Sequence, residues 1–274
     1  MELTNLLRGA YSLINQSSLL ESPWMRRQFA RAYFFYKRHL WASYPGLTRS
    51  RPELFSDGHI LDIGANIGFT ATVFAKAAVT PFKVYAFEPD QANFAMLSET
   101  IKAAGCQNKV VPVRAAVGQY DGQVELWRNP TSHADHRIFT QGFKGTVPDV
   151  KADIVTVPLV SVDSFLAREN LRPSPCFVKI CVQGYELPVC LGLQHTLETN
   201  PGLSVTFPYA PTVMRDMGFN PEELIELFRS RGFSFYAIGD RGELYPLRDT
   251  RSGLTDIGPR IYLQLLLTRR RLVV

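Results

Sequence analysis

Cysteine is scarce in this sequence, and what there is forms no recognisable ligand set. Cys106, Cys176, Cys181 and Cys190 make no CxxC pair, and no histidine cluster completes a zinc spacing. The simplest reading is reduced thiols in a cytoplasmic protein. Long hydrophobic runs are also missing. No stretch reaches the roughly 18 to 20 apolar residues of a membrane-spanning helix. Met1 to Ala10 lacks the apolar core and small-residue cleavage site of a secretory signal. No internal repeat or low-complexity tract is present. Net charge is absent beyond the first fifty residues. Residues 1–50 hold seven basic and two acidic side chains, and the whole chain carries +5, so the remainder sums to zero. The pI near 9.0 therefore describes an arm, and nucleic-acid binding by the core is not implied.

What is present is the profile of an ordinary globular protein, 46% hydrophobic and 20% charged over 274 residues. The length fits one large α/β domain with an extension. We place the extension at 1–54 and the domain at 55–274. Within the extension, Met25, Phe29, Tyr33, Tyr36 and Leu40 recur at helical spacing, with Arg27, Arg31 and Arg38 elsewhere on the wheel. A helix over 24–41 reads as packed on the domain, as a lid, or as a partner or membrane-surface helix, and a homo-oligomer contact through such helices fits the same pattern. Pro45, Gly46 and Pro52 predict a loop before the core.

From residue 58 strands and helices alternate. Strands are expected at 59–63, 83–87, 109–117, 177–182 and 203–207, with helices at 69–78, 91–104, 161–169, 185–198 and 221–230. A hairpin or edge pair is expected at 123–127 and 153–157, and late strands at 233–238 and 260–268. The order predicts a doubly wound α/β fold: a mainly parallel sheet, covered on both faces, with a reversed edge strand.

Two motifs carry chemistry. In residues 59–70, Gly64 and Gly68 permit a sharp turn, and Asp62 stands at a strand end, where doubly wound sheets bind ligands. A carboxylate there suits the ammonium or sulfonium-bearing tail of S-adenosylmethionine, and the following helix start suits its carboxylate. Glu88 ends the second strand 26 positions later, where an acid accepts from both ribose hydroxyls. Glu88 alone also fits NAD. The glycine spacing does not, because it lacks the GxGxxG pattern for a pyrophosphate.

The segments LDIGANIGFTA (61–71), VYAFEPDQANFAML (84–97), VRAAVGQYDGQVELW (113–127), SHADHRIF (132–139), VDSFL (162–166) and VKICVQGYELPVCLG (178–192) resemble the FkbM family of methyltransferases. The resemblance implies a class I, Rossmann-like methyltransferase fold, S-adenosylmethionine as cofactor, and O-methylation of a small molecule, sugar or natural-product hydroxyl. It assigns Asp62, Gly64, Asn66, Gly68 and Glu88 to the cofactor, with Phe69 and Pro89 beside them, and Ala116 and Val117 near the adenine. It also exposes a departure. The family usually reads Lys-Ile-Asp-Val-Glu-Gly at the fourth strand, and this chain reads Lys179-Ile-Cys181-Val-Gln183-Gly184. Thr206 likewise stands where the family often has Glu.

The loss of carboxylates at 181 and 183 argues against a metal there. With an aspartate absent at 181, the base candidates are His136 and Asp135, with His133 beside them, or these are loop residues with hydrogen-bonding roles. Lys179 reads as a catalytic group orienting substrate or as an ion-pair partner of Glu186. Cys181, Gln183 and Glu186 are expected with His133 to line the substrate side, and Cys181 reads as an inert thiol. Two other functions stay open: a noncatalytic member that binds cofactor or a partner protein, and an NAD-dependent oxidoreductase.

Overall fold

The computed structural model describes residues 42–129, 132–144, 153–172, 174–247, 254 and 262–272. The helix expected over 24–41 lies outside the described residues. The described chain opens on α1 (Ser43–Ser50), where the sequence predicts a loop. Pro45 falls in the first turn, where a backbone N–H has no helical partner to lose. Gly46 is dictated by packing, since a Cβ there would lie 1.6 Å from the Arg241 carbonyl oxygen.

The central sheet has eight strands. Five are parallel neighbours: β3 (Val110–Val113), β2 (Val84–Phe87), β1 (Ile60–Ile63), β8 (Phe177–Ile180) and β9 (Ser204–Tyr209). Beyond β9 come β12 (Leu263–Thr268), β10 (Ser234–Ile238) and β11 (Leu244–Pro246). β12 runs antiparallel between β9 and β10, so it is an inner strand. The reversed edge strand is instead the short β11, antiparallel to β10.

The segment expected as one strand over 109–117 divides. After β3 the chain turns at Ala115, whose N–H donates to the Val113 carbonyl, and β4 (Ala116–Val117) joins a second sheet. That sheet holds β4, β7 (Ile154–Val160), β5 (Gly122–Trp127) and β6 (Arg137–Ile138). β5 and β7 pair antiparallel, as the sequence predicts.

Every residue of β1, β2 and β8 is buried, as apolar strands covered on both faces require. One core packs Leu61, Ile63, Val178, Val205 and Phe207 against α4 (Glu186–Leu191), α5 (Gln194–Thr199) and α6 (Pro221–Arg229). The single helix expected over 185–198 thus breaks in two at Gly192, where a Cβ would lie 2.0 Å from the Gly118 carbonyl oxygen. The opposite core packs Ile60, Val84, Ala86 and Phe177 against α1, α2 (Phe69–Ala77) and α3 (Gln91–Ala103). Asp90 caps α3, its Oδ1 accepting from the Ala92 and Asn93 N–H groups at 2.9 Å each.

The parallel register sets Asp62 beside Lys179, and Lys179 beside Thr206. A buried polar row therefore crosses β1, β8 and β9. Among the described residues no helix is long and apolar enough to cross a membrane.

Candidate active site

The carboxyl ends of β1, β2, β8 and β9 open into a cavity of about 420 Å³, within the usual range for small-molecule sites. Its floor is the turn after β1. Gly64 has φ +74, and a Cβ there would lie 2.0 Å from the Cys181 carbonyl oxygen. Only glycine lets β1 and β8 close together at that point. Asn66 also takes a left-handed φ of 51°, with its Oδ1 accepting from the Ile67 N–H at 2.6 Å. Gly64, Asn66 and Phe69 line the cavity. Gly68 does not: its bare Cα faces Leu97 and Thr100 of α3 and brings the two helices together.

Asp62 does not line the cavity either. It is 0% exposed. Its Oδ2 accepts from Thr70 Oγ1 at 2.6 Å and its Oδ1 lies 2.9 Å from Lys179 Nζ. Lys179 Nζ also donates to the Ile63 and Gly64 carbonyls, at 3.2 and 2.8 Å. The pair clamps the turn from beneath. Lys179 therefore pairs with Asp62 rather than with Glu186. Burial is the largest single effect and pulls its proton affinity down, but the Asp62 charge and hydrogen bond, with Cys181 and Glu88, together outweigh it, so the pKa is raised and the group stays an ammonium.

Glu88 and Pro89 line the cavity at the end of β2, and Ala116 and Val117 at the second sheet. Glu88 Oε2 accepts from the Asn66 N–H at 2.9 Å and Oε1 from the Asp90 N–H at 3.1 Å. Burial, with a further push from the Asp90 charge, raises its carboxyl to about 7, and the backbone hydrogen bonds only partly offset this. This side fits S-adenosylmethionine: a buried carboxylate for ribose hydroxyls, a glycine turn under the tail, and small apolar residues for the adenine.

The loop of 132–136 lies across these strand ends. His133 O accepts from Asn66 Nδ2 at 3.2 Å and Asn93 Nδ2 at 2.8 Å, and Ala134 O accepts from Gln183 Nε2 at 3.0 Å. His133 and His136 line the cavity, their rings 5.8 Å apart at the centroids. Burial lowers both pKa values. His136 Nδ1 accepts from the Asn129 N–H at 3.0 Å, so the ring proton belongs on Nε2, which lies 4.0 Å from Asp90 Oδ1. The imidazole pair thus stands with Glu88 and Asp90. Asp135 is outside the cavity lining and holds Arg137 through both oxygens, at 2.9 and 3.2 Å. The three expected catalytic groups, His136, Asp135 and Lys179, are therefore each engaged by protein partners.

The β8 and β9 side is different. Cys181, half-buried, lines the cavity with Gln183 and Glu186. Glu186 Oε1 accepts from the Val182 N–H at 3.1 Å, and Oε2 is buried with no hydrogen-bond partner. Burial raises this carboxyl to about 7. Sequence reasoning missed the facing wall: Tyr44 from α1 and Gln264 from β12. Gln264 Nε2 donates to Tyr44 Oη and to Thr206 Oγ1, both at 2.9 Å, and Thr206 Oγ1 donates to the Leu265 carbonyl at 2.7 Å. Burial holds the Tyr44 phenol well above its ordinary range, so it stays neutral. Tyr44 and Gln264 are 220 positions apart, and no local pattern joins them.

Residues 62–235 match the Methyltransferase FkbM domain. The chain is 28% identical over 148 residues to the hexuronic acid methyltransferase AglP of Haloferax volcanii, and spans about half that relative's length, 54% of each chain. Among solved structures it is similar to an O-methyltransferase from Bacillus cereus in complex with SAH, at 14% identity and TM-score 0.46, covering 92% of this chain and 90% of that one. It is also similar to a SAM-dependent methyltransferase from Aquifex aeolicus, at 13% identity and TM-score 0.42, covering 85% and 91%. With the glycine turn, Glu88 and the β8 segment all inside the matched span, the chain belongs to the FkbM methyltransferase family.

Proposed function

We propose that this protein is an S-adenosylmethionine-dependent O-methyltransferase acting on a hydroxyl of a sugar or other small molecule. The observation that carries the reading is the cavity's division into a carboxylate-bearing cofactor side and an uncharged hydrogen-bonding wall of Tyr44 and Gln264. Bound S-adenosylmethionine supplies an electrophilic methyl group on a sulfonium. The protein's contribution begins with position. Glu88, the turn at Gly64 and Asn66, and the apolar Ala116 and Val117 hold the cofactor. Tyr44 and Gln264 orient an acceptor hydroxyl, so that the reacting oxygen is held close and in line.

The hydroxyl proton goes to Glu186. Glu186 belongs to the cavity lining. Oε1 is held by Val182, and Oε2, buried without a partner, meets the acceptor by turning into the cavity. A carboxyl raised to about 7 suits a base working near neutrality. His133 and His136 serve the cofactor side and shield it from water. The hexuronic acid acted on by the Haloferax relative supports a sugar acceptor.

The test is methylation of a panel of neutral sugars, hexuronic acids and phenols with radiolabelled cofactor, alongside calorimetry with S-adenosylhomocysteine and NAD. Transfer to a sugar oxygen is expected. Cofactor binding with no transfer to any acceptor would favour the noncatalytic reading, and NAD binding would favour the oxidoreductase.

A further inference from the structure

Gln183 makes a contact that a glutamate carboxylate cannot make. Its Nε2 donates to the Ala134 carbonyl at 3.0 Å. Asn66 and Asn93 donate to the neighbouring His133 carbonyl at 3.2 and 2.8 Å. Three side-chain amides, from the turn after β1, from α3 and from the turn after β8, thus converge on two consecutive carbonyls. The segment they hold crosses the ends of β2, β1 and β8, and His133, Ala134 and His136 form cavity wall. Gln183 is itself pre-bent for this reach, with a left-handed φ of 56° that a side chain of its kind adopts only when its surroundings hold it there.

We propose that Gln183 is a positioning residue that latches the 132–136 segment over the cofactor, so that cofactor exchange requires this latch to open. The proposal rests on the S-adenosylmethionine reading of the cavity. A carboxylate accepts hydrogen bonds and donates none. A glutamate here would set a negative charge against the Ala134 carbonyl oxygen and release that end of the segment.

The test uses Gln183→Glu and Gln183→Met at pH 7.5 and pH 5. Hydrogen-exchange protection of residues 132–138 is measured without cofactor, and the dissociation rate of S-adenosylhomocysteine is measured by stopped flow. At pH 7.5 both variants are expected to lose protection in this segment and to release the ligand at least ten times faster than the native protein. At pH 5 the glutamate variant regains part of both, because the protonated fraction of its carboxyl, favoured by the facing Ala134 carbonyl, donates again. The methionine variant, with no donor, stays released at both values. Other titrating and charged groups lie around this position: His133, Asp135 and His136 on the segment, Arg137 on β6, Glu88 after β2, Lys179 on β8 and Glu186 just beyond the turn. All are present in the native protein, so each variant is read as its ratio to native at the same pH.

Unchanged protection in both variants would overturn the latch. Lost protection with an unchanged dissociation rate would overturn its part in exchange. If the native protein fails to bind S-adenosylhomocysteine while the protection pattern holds, the cofactor reading fails and the tether stands.

Discussion

If Glu88 holds the cofactor as proposed, cofactor affinity depends on pH in a direction that the burial of its carboxyl sets. Its carboxyl lies at about 7, raised mainly by burial and then by Asp90. From the ordinary value of 4.5 this is a net cost of about 3 kcal/mol on the charged form, at 1.36 kcal/mol per pKa unit. In the proposed binding mode ribose hydroxyls donate to the carboxylate and so favour that form. If they return the group to its ordinary range, S-adenosylhomocysteine binds about 70-fold more weakly at pH 5 than at pH 8, and binding below pH 7 releases a proton. Calorimetry in buffers of different ionisation enthalpy measures both quantities. Glu88→Gln should lose this pH dependence and bind about 1–3 kcal/mol more weakly at pH 8. Equal native affinity at pH 5 and 8 without proton release would refute the argument. A Glu88→Gln variant that kept the full native profile would move the titration to His133 and His136. The sign for stability is opposite. A carboxyl whose folded pKa is raised contributes stability that is fully present below its unfolded pKa and is lost as pH rises through about 7.

Other perturbations follow from the same geometry. Gly64→Ala should destabilise the fold by about 2 kcal/mol or more, through the Cys181 carbonyl and the positive φ; denaturant unfolding checks it, and a neutral result would refute the close approach of β1 and β8. Lys179→Met should cost about 3–5 kcal/mol by leaving Asp62 buried without its partner. The double variant with Asp62→Asn should recover a large part of that loss in the same assay, and no recovery would mean the pair is not coupled. Glu186→Gln should cut the methylation rate by about 100-fold or more while S-adenosylhomocysteine affinity holds. It should also narrow the stability difference between pH 5 and pH 8, since Gln carries no raised carboxyl to lose its contribution. An unchanged rate would remove Glu186 as the proton acceptor.

The parts legible in the sequence are those in which neighbours in the chain are neighbours in space. The turn at Gly64 and the acid at Glu88 announce themselves because strand, glycine and carboxylate follow one another within a few positions. The β5–β7 pair is legible as a hairpin or edge pair on either side of a long loop. Other features depend on distant partners. Pro45 and Gly46 look like loop residues until the Arg241 carbonyl is seen against the helix. Asp62 has the right type and position for a ligand contact, but Lys179, more than a hundred residues away, draws it beneath the turn. His136 and Asp135 are plausible bases by residue type alone, and only their hydrogen bonds to Asn129 and Arg137 reveal their commitments. Tyr44 and Gln264 carry no signal, since a cavity wall built from two ends of a chain has no sequence period.

The position of β12 has a consequence for how the protein is made. Its six residues pair with β9 on one side and β10 on the other, so the middle of the sheet waits for a segment synthesised after both flanking strands. Until residues 263–268 arrive, a growing chain presents two unpaired strand edges and the apolar bed meant for Leu265, Leu266 and Leu267. Such edges are templates for pairing with other chains. A chain interrupted after β11 would therefore be an aggregation hazard rather than a slightly shortened protein, and Gln264 would be missing from the cavity wall for the same reason.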